Sequence, residues 1–259
     1  MTTTFPAGTF RPAPGRGRVA HMLATHARTE AMLTLRNGEQ ILLTLLIPLA
    51  LLVGLTVLDV FTLPEPRVDS VTPRIFALAV MSSAFTGQAI ALGFDRRYGV
   101  LKRLAATALP RWLLLAGRTA AALVVVAVQL VVLGVVAALL GWSPSPAGLL
   151  WAVLLVLLGT LAFGALGVLL GGALKAEIVL ALANLVWFAL VLAGGLAVPA
   201  TSLPDAWADV VTLLPSGALA EGLHATLTAG TAPHWSIVAT LLAWTAAASA
   251  LATRTTKLS

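Results

Sequence analysis

Apolar residues run almost unbroken through six stretches of this chain, at about 41–61, 75–94, 112–141, 149–172, 177–198 and 235–252. A helical residue rises about 1.5 Å, so roughly 20 apolar residues cross a hydrocarbon core about 30 Å thick. Lipid offers no partner for a bare backbone amide, and the period-two alternation of a membrane barrel is missing, so each stretch reads as a helix. The third is longer than one crossing needs, which leaves its Arg111 to Arg118 end tilted or continuing into water. The pattern predicts an all-α membrane protein with six transmembrane helices filling a single domain over residues 19–252.

The polar intervals are as informative. Residues 1–18 carry Pro6, Gly8, Pro12, Pro14, Gly15 and Gly17 with three arginines, a composition for a disordered tail, and residues 253–259 form a second short tail. Over residues 19–37, Val19, Met22, Leu23, Ala27 and Leu33 fall near one helical face while His21, Thr25, Arg28 and Arg36 fall near another, and Glu30 interrupts the apolar side. Either an amphipathic helix on the membrane surface or a plain cytosolic lead-in fits this stretch. Because the first long apolar run begins only at Ile41, a cleaved signal peptide is not expected.

Composition supports the membrane class, since 59% of the 259 residues are hydrophobic and 10% charged, more apolar surface than a water-soluble domain can hide. With no cysteine there is no disulfide, no thiolate metal site and no thiol nucleophile. The net charge of +6 sits beside apolar runs, where anionic lipid and topology account for it without a nucleic-acid partner. Fourteen of the sixteen Lys and Arg residues fall in the N-terminal region, in 95–118, at Lys175 or in the C-terminal tail. By the positive-inside rule both termini are cytoplasmic, in a multi-pass protein of the plasma membrane, which in a bacterium is the inner membrane. Trp142, Trp151, Trp207 and Trp235 then cluster near the outer boundary and Trp112 near the inner one, while Trp187 and Trp244 sit mid-span and need another reason.

Catalytic chemistry is absent from the sequence pattern. There is no phosphate loop, no H-E-x-x-H and no G-x-S-x-G, and the four histidines have no metal-ligand spacing, so no catalytic residue and no metal site is expected. Ser216 with His224 eight residues on reads as a turn serine. Ionisable groups inside the predicted spans are scarce, so a proton-driven cycle has no evident carrier.

Two stretches carry a resemblance. "FDRRYGVLKRLAATALPR" resembles the cytoplasmic coupling segment of the ABC-2 family of ABC-transporter permeases, in which acid-Arg-acid-x-Gly-Thr leads to Leu, Ser or Thr, and Pro. Asp95 and Arg96 take the opening positions, followed by Gly99, Leu104, Thr107 and Pro110, whereas Arg97 stands where the family has its second acid and Val100 where it has Thr. "GGLAVPATSLPDAWADVVTLLPSGALAEGLH" is similar to the family's second hallmark, matched by Gly195, Pro199, Pro204, Trp207, Pro215 and Glu221.

The resemblance implies a half-transporter. A second permease chain, identical or related, pairs with this one, and separate subunits carrying ATP and Mg dock beneath, so this chain needs no cofactor of its own. Asp95, Arg96, Arg97, Gly99, Leu101, Lys102, Leu104, Thr107 and Pro110 would form the ATPase-coupling segment, with Leu101, Leu104 and Ala105 seated in a groove of the partner; the rival reading is a basic loop held by anionic lipid. Residues 199–234 would supply short re-entrant helices capping the path, or a simple external loop.

Within the spans, Asn184, Trp187 and Phe188 share one stripe, as do Met81, Phe85 and Gln88 on the second span. The resemblance turns both stripes toward a path for an amphipathic, drug-like or lipid-linked substrate, and ordinary helix packing is the alternative. Gly167 and Gly171 make a G-x-x-x-G that admits a close backbone. The function expected is export by alternating access, against a self-contained carrier or channel, or a structural or sensory membrane subunit.

Overall fold

The computed structural model describes residue 6 and residues 17–58, 65–107, 109–196 and 210–255, without the side chains of 39–43, 105 and 111. Every regular element among them is helical. Helix α1 (Val19–Arg36) leads into α2 (Gly38–Val57); α3 (Arg67–Met81) continues through a π turn (Ser82–Gly87) into α4 (Gln88–Arg97). A short α5 (Val100–Ala105) precedes the long α6 (Arg111–Leu139), followed by α7 (Leu149–Ala173), α8 (Ala176–Ala193), α9 (Pro215–Ala229) and α10 (Trp235–Thr255).

Five helical stretches are long and apolar enough to cross a membrane: Arg67–Arg97, Trp112–Leu139, Pro146–Ala173, Ala176–Ala193 and Trp235–Thr255. The first stretch expected from the sequence corresponds to α2, of which Thr44–Val57 is apolar and shorter than these. Residues 59–64 and 197–209, with Asp59, Pro199, Pro204 and Trp207, lie outside the described residues.

Two expected boundaries move. The second span was expected to open at residue 75, yet its helix starts at Arg67 and ends at Arg97, because the polar residues Asp69, Ser70, Thr72 and Arg74 find partners or burial inside the bundle rather than breaking the helix. The fifth was expected to reach 198 but stops at Ala193, where Gly194 and then Gly195, at φ 68°, turn the chain.

Packing follows from these elements. The helix Arg67–Arg97 is central, with α2 and α9 against its first half and α7 and α8 against its second. Around it Leu52, Ile75, Met81, Leu133, Leu155, Phe163 and Leu219 form a core that excludes water. Gly167 and Gly171 on α7 meet the central helix backbone directly: a Cβ at Gly167 would lie 2.9 Å from the Phe85 carbonyl oxygen, and one at Gly171 2.5 Å from that of Ala89. The outer surface is just as apolar as the core, with Leu139 at 83% and Leu150 at 78% exposure, a distribution that suits lipid and not water.

Helix α1 packs along the start of α6, and His26 Nε2 lies 3.2 Å from the Leu114 carbonyl oxygen. Among the described residues α9 is buried along its whole first half, Pro215 to Ala220, and Ser145 donates its N–H to the Leu227 carbonyl at 2.8 Å. Residues 215–229 are therefore a packed helix between α3 and α7, not an exposed loop.

Candidate functional site

At the α5 end of the bundle the charged run leaving α4 is divided between inward and outward work. Asp95 accepts a hydrogen bond from Arg118 of α6, whose side chain is 6% exposed. Glu30 of α1 reaches the same guanidinium at 3.9 Å, and the Gln88 amide donates to the Arg118 carbonyl at 3.0 Å. One buried cation thus ties together α1, α4 and α6. Arg96 donates to the carbonyls of Gly171 and Leu174, both at 3.1 Å, closing off the end of α7, where orphan carbonyls and the helix dipole favour a cation. Arg97 pairs with Glu177 at the start of α8 and lies over the Tyr98 ring at 5.9 Å.

Beyond Tyr98, Gly99 adopts φ 69°, a left-handed conformation that a glycine takes without strain, and starts α5. Thr107 donates to the Leu104 carbonyl at 2.6 Å and accepts from the Leu109 N–H, and Pro110 caps α6 in extended geometry. Leu101, expected on the face offered to a partner, is instead 7% exposed and packed into its own chain, because α5 lies down toward the α7–α8 turn. What α5 presents outward is Lys102 and Arg103, with Thr107 just after it.

Along the membrane-spanning part, a groove of about 670 Å³ runs between the central helix, α2 and α8. Asn184, Trp187 and Phe188 line it as the sequence stripe predicts, the two rings meeting edge to face at 4.9 Å. From the central helix, however, Ser82, Thr86, Ile90 and Phe94 face the groove, whereas Met81 and Phe85 are buried against the core and Gln88 turns toward Arg118. The expected stripe Met81, Phe85, Gln88 is the packing face. A π turn carries more residues per turn than an α-helix, so a face extrapolated at regular spacing through 82–87 loses its register there.

That π turn is also where three helices exchange polar bonds. Trp187 Nε1 donates to Ser82 Oγ at 2.9 Å, Ser83 Oγ donates to Gln129 Oε1 at 2.6 Å, and the buried Thr86 hydroxyl has no hydrogen-bond partner among the described residues. Trp244, the other mid-span indole, donates to the Leu213 carbonyl at 2.9 Å. Each indole N–H thus has an acceptor within the chain.

At the opposite end, the sequence reading missed Arg74. Taken for an external charge, it is 7% exposed and pairs with Glu221 of α9 at 3.7 Å, while it donates to the Ser70 carbonyl. The only available signal was its place at the very edge of an apolar run, eight residues before the next polar one. Pro73 lacks an N–H and so leaves the Asp69 carbonyl without its helical donor, and the His224 imidazole hydrogen-bonds the Asp69 backbone. Burial first, and then the positive charge of Arg74, hold His224 below the usual histidine range. Ser216, expected to be a turn serine, lies instead in the first turn of α9, fully buried, and donates to the Leu190 carbonyl of α8 at 3.1 Å. Among the described residues no three His, Cys, Asp or Glu side chains gather as metal ligands.

The described geometry offers a polar junction, an exposed basic helix and a groove beside the central helix. No curated protein matches the chain. The family model for the ABC-2 type transporter matches residues 23–228, from α1 to the end of α9 and including the junction and the groove. The chain belongs to the ABC-2 type transporter family and is a multi-pass membrane permease of an ABC transporter.

Proposed function

We propose that this permease is the membrane half of an ATP-driven exporter, moving an amphipathic substrate through the groove beside Trp187 by alternating access. The observation that carries the reading is the groove itself. It has aromatic and aliphatic walls, Trp187, Phe188, Ile90 and Phe94, with the polar side chains of Ser82 and Asn184 among them, so a ligand gains apolar contact beside polar groups.

ATP and Mg belong to a separate subunit in this reading, since the family normally works with one. Lys102, Arg103 and Thr107 form the contact surface, with Asp95, Arg96, Gly99, Leu101, Leu104 and Pro110 holding its shape. Arg97, already paired with Glu177, serves the scaffold more than the contact. A second permease chain, identical or related, faces the groove across a shared axis, and both termini and α5 are cytoplasmic. Helix α9, pinned to α3 by Arg74 and Glu221, caps the outer end of the path.

The test is Trp187→Ala in the assembled complex. The reading predicts a changed set of compounds that stimulate ATP hydrolysis, in a protein that still folds and retains its partner subunit. An unchanged response across a chemically broad panel would return the stripe to plain helix packing.

A further inference from the structure

Two cavities adjoin beside the π turn. The groove reaches Asp95 at one end, and a smaller polar chamber of about 50 Å³ is lined by Glu30, Thr34, Ser83, Gln88 and Arg118. Thr44, Gly87 and Ala91 line both. The chamber has room for a water molecule or an ammonium group, not for a ring.

Taken together, the charges along the two cavities do not balance. Among the described residues lining the two cavities the ionisable groups are Glu30, Asp95 and Arg118. Arg118 is hydrogen-bonded to Asp95 and meets Glu30 only at 3.9 Å, the limit of an ion pair. Two carboxylates therefore face one guanidinium, and the looser contact leaves the excess negative charge at Glu30, about a quarter of whose side chain is exposed. Glu30 is also the residue that breaks the apolar side of α1, where it faces Arg118.

We propose that the groove binds amphipathic amines, with the apolar body against Trp187 and Phe188 and the protonated amine in the polar chamber, where Glu30 selects it. This rests on the groove being the substrate path. The same geometry disfavours anionic amphiphiles, whose head group would meet Glu30 in the chamber and Asp95 at the end of the groove, with Arg118 already bonded to Asp95.

The experiment uses the full chain in phosphatidylcholine nanodiscs and three dansyl probes of one length: dansylcadaverine, and its analogues ending in a hydroxyl or a carboxylate. Binding is read by dansyl anisotropy, with empty nanodiscs subtracted. The wild-type chain is expected to bind the amine about tenfold tighter than the hydroxyl analogue, and the carboxylate weakest. Glu30→Gln should bring the amine to the affinity of the hydroxyl probe, and Glu30→Asp should keep the preference. Equal binding of all three probes to the wild-type chain, a comparison that needs no variant, overturns the inference, as does an amine preference that survives in Glu30→Gln. Trp187→Ala separates the two levels: weaker binding of the hydroxyl probe keeps the groove as the path whatever the charge preference, whereas unchanged binding of every probe overturns the path and the inference together.

Discussion

Arg118 shows how one side chain decides local structure. A guanidinium 6% exposed is tolerable only where it is paired, and here Asp95 of α4 accepts its hydrogen bond while Glu30 of α1 lies at 3.9 Å. Removing it leaves two carboxylates facing each other at a junction of three helices. Arg118→Met is expected to destabilise the folded permease by about 3 kcal/mol, the lower end for breaking a buried pair because Asp95 and Glu30 each keep about a quarter of their side-chain surface exposed. Glu30→Gln should shift it by less than about 1 kcal/mol, since a contact at 3.9 Å with a part-exposed acid contributes little. Thermal unfolding in a mild detergent measures both; equal effects would show that the junction does not depend on the cation. None of this pairing was legible in the sequence. Glu30, Asp95 and Arg118 are separated by tens of residues, and a single sequence gives no register between helices.

Elements were read more successfully than their faces. The periodicity and length of apolar runs located α6, α7 and α10 closely, whereas α8 stops at Ala193, short of the expected 198. Faces on the central helix were misread because the π turn at Ser82–Gly87 has no signature in hydrophobic spacing. The G-x-x-x-G of α7 was read correctly as an invitation to a close backbone, and it admits α4 and the π turn. A contrast within α7 tests that packing. Gly171→Ala puts a methyl 2.5 Å from the Ala89 carbonyl oxygen and is expected to destabilise by about 1–3 kcal/mol, because two backbones must separate. Gly164→Ala meets nothing within 4 Å and should be neutral or slightly stabilising, since alanine is the better helix former. Unfolding midpoints of the two variants decide it, and a neutral Gly171→Ala would contradict the close α4–α7 approach.

For the whole molecule, an apolar exterior around an apolar core is what the composition demands, and the five long helices satisfy it. The candidate site was half legible. The aromatic stripe of α8 and the outward basic residues of α5 could be read from spacing, whereas the inward use of Asp95, Arg96 and Leu101 depends on where α6, α7 and the α7–α8 turn come to rest. The account's central claim is that the chain is driven by ATP hydrolysed on another subunit through the exposed face of α5. Charge reversal there should spare the fold, because Lys102 and Arg103 are exposed and have no described ion-pair partner, while Arg97 is left in place with Glu177. The decisive measurement is ATP hydrolysis by the complex purified through a tag on this chain, wild type against Lys102→Glu with Arg103→Glu. The account predicts hydrolysis in the wild-type complex and its loss with the ATP-binding subunit in the variant, most marked at low ionic strength where charges are least screened, while the permease stays monodisperse. A variant that keeps its ATP-binding subunit and wild-type hydrolysis, or a wild-type permease that moves substrate with no such subunit present, would contradict it.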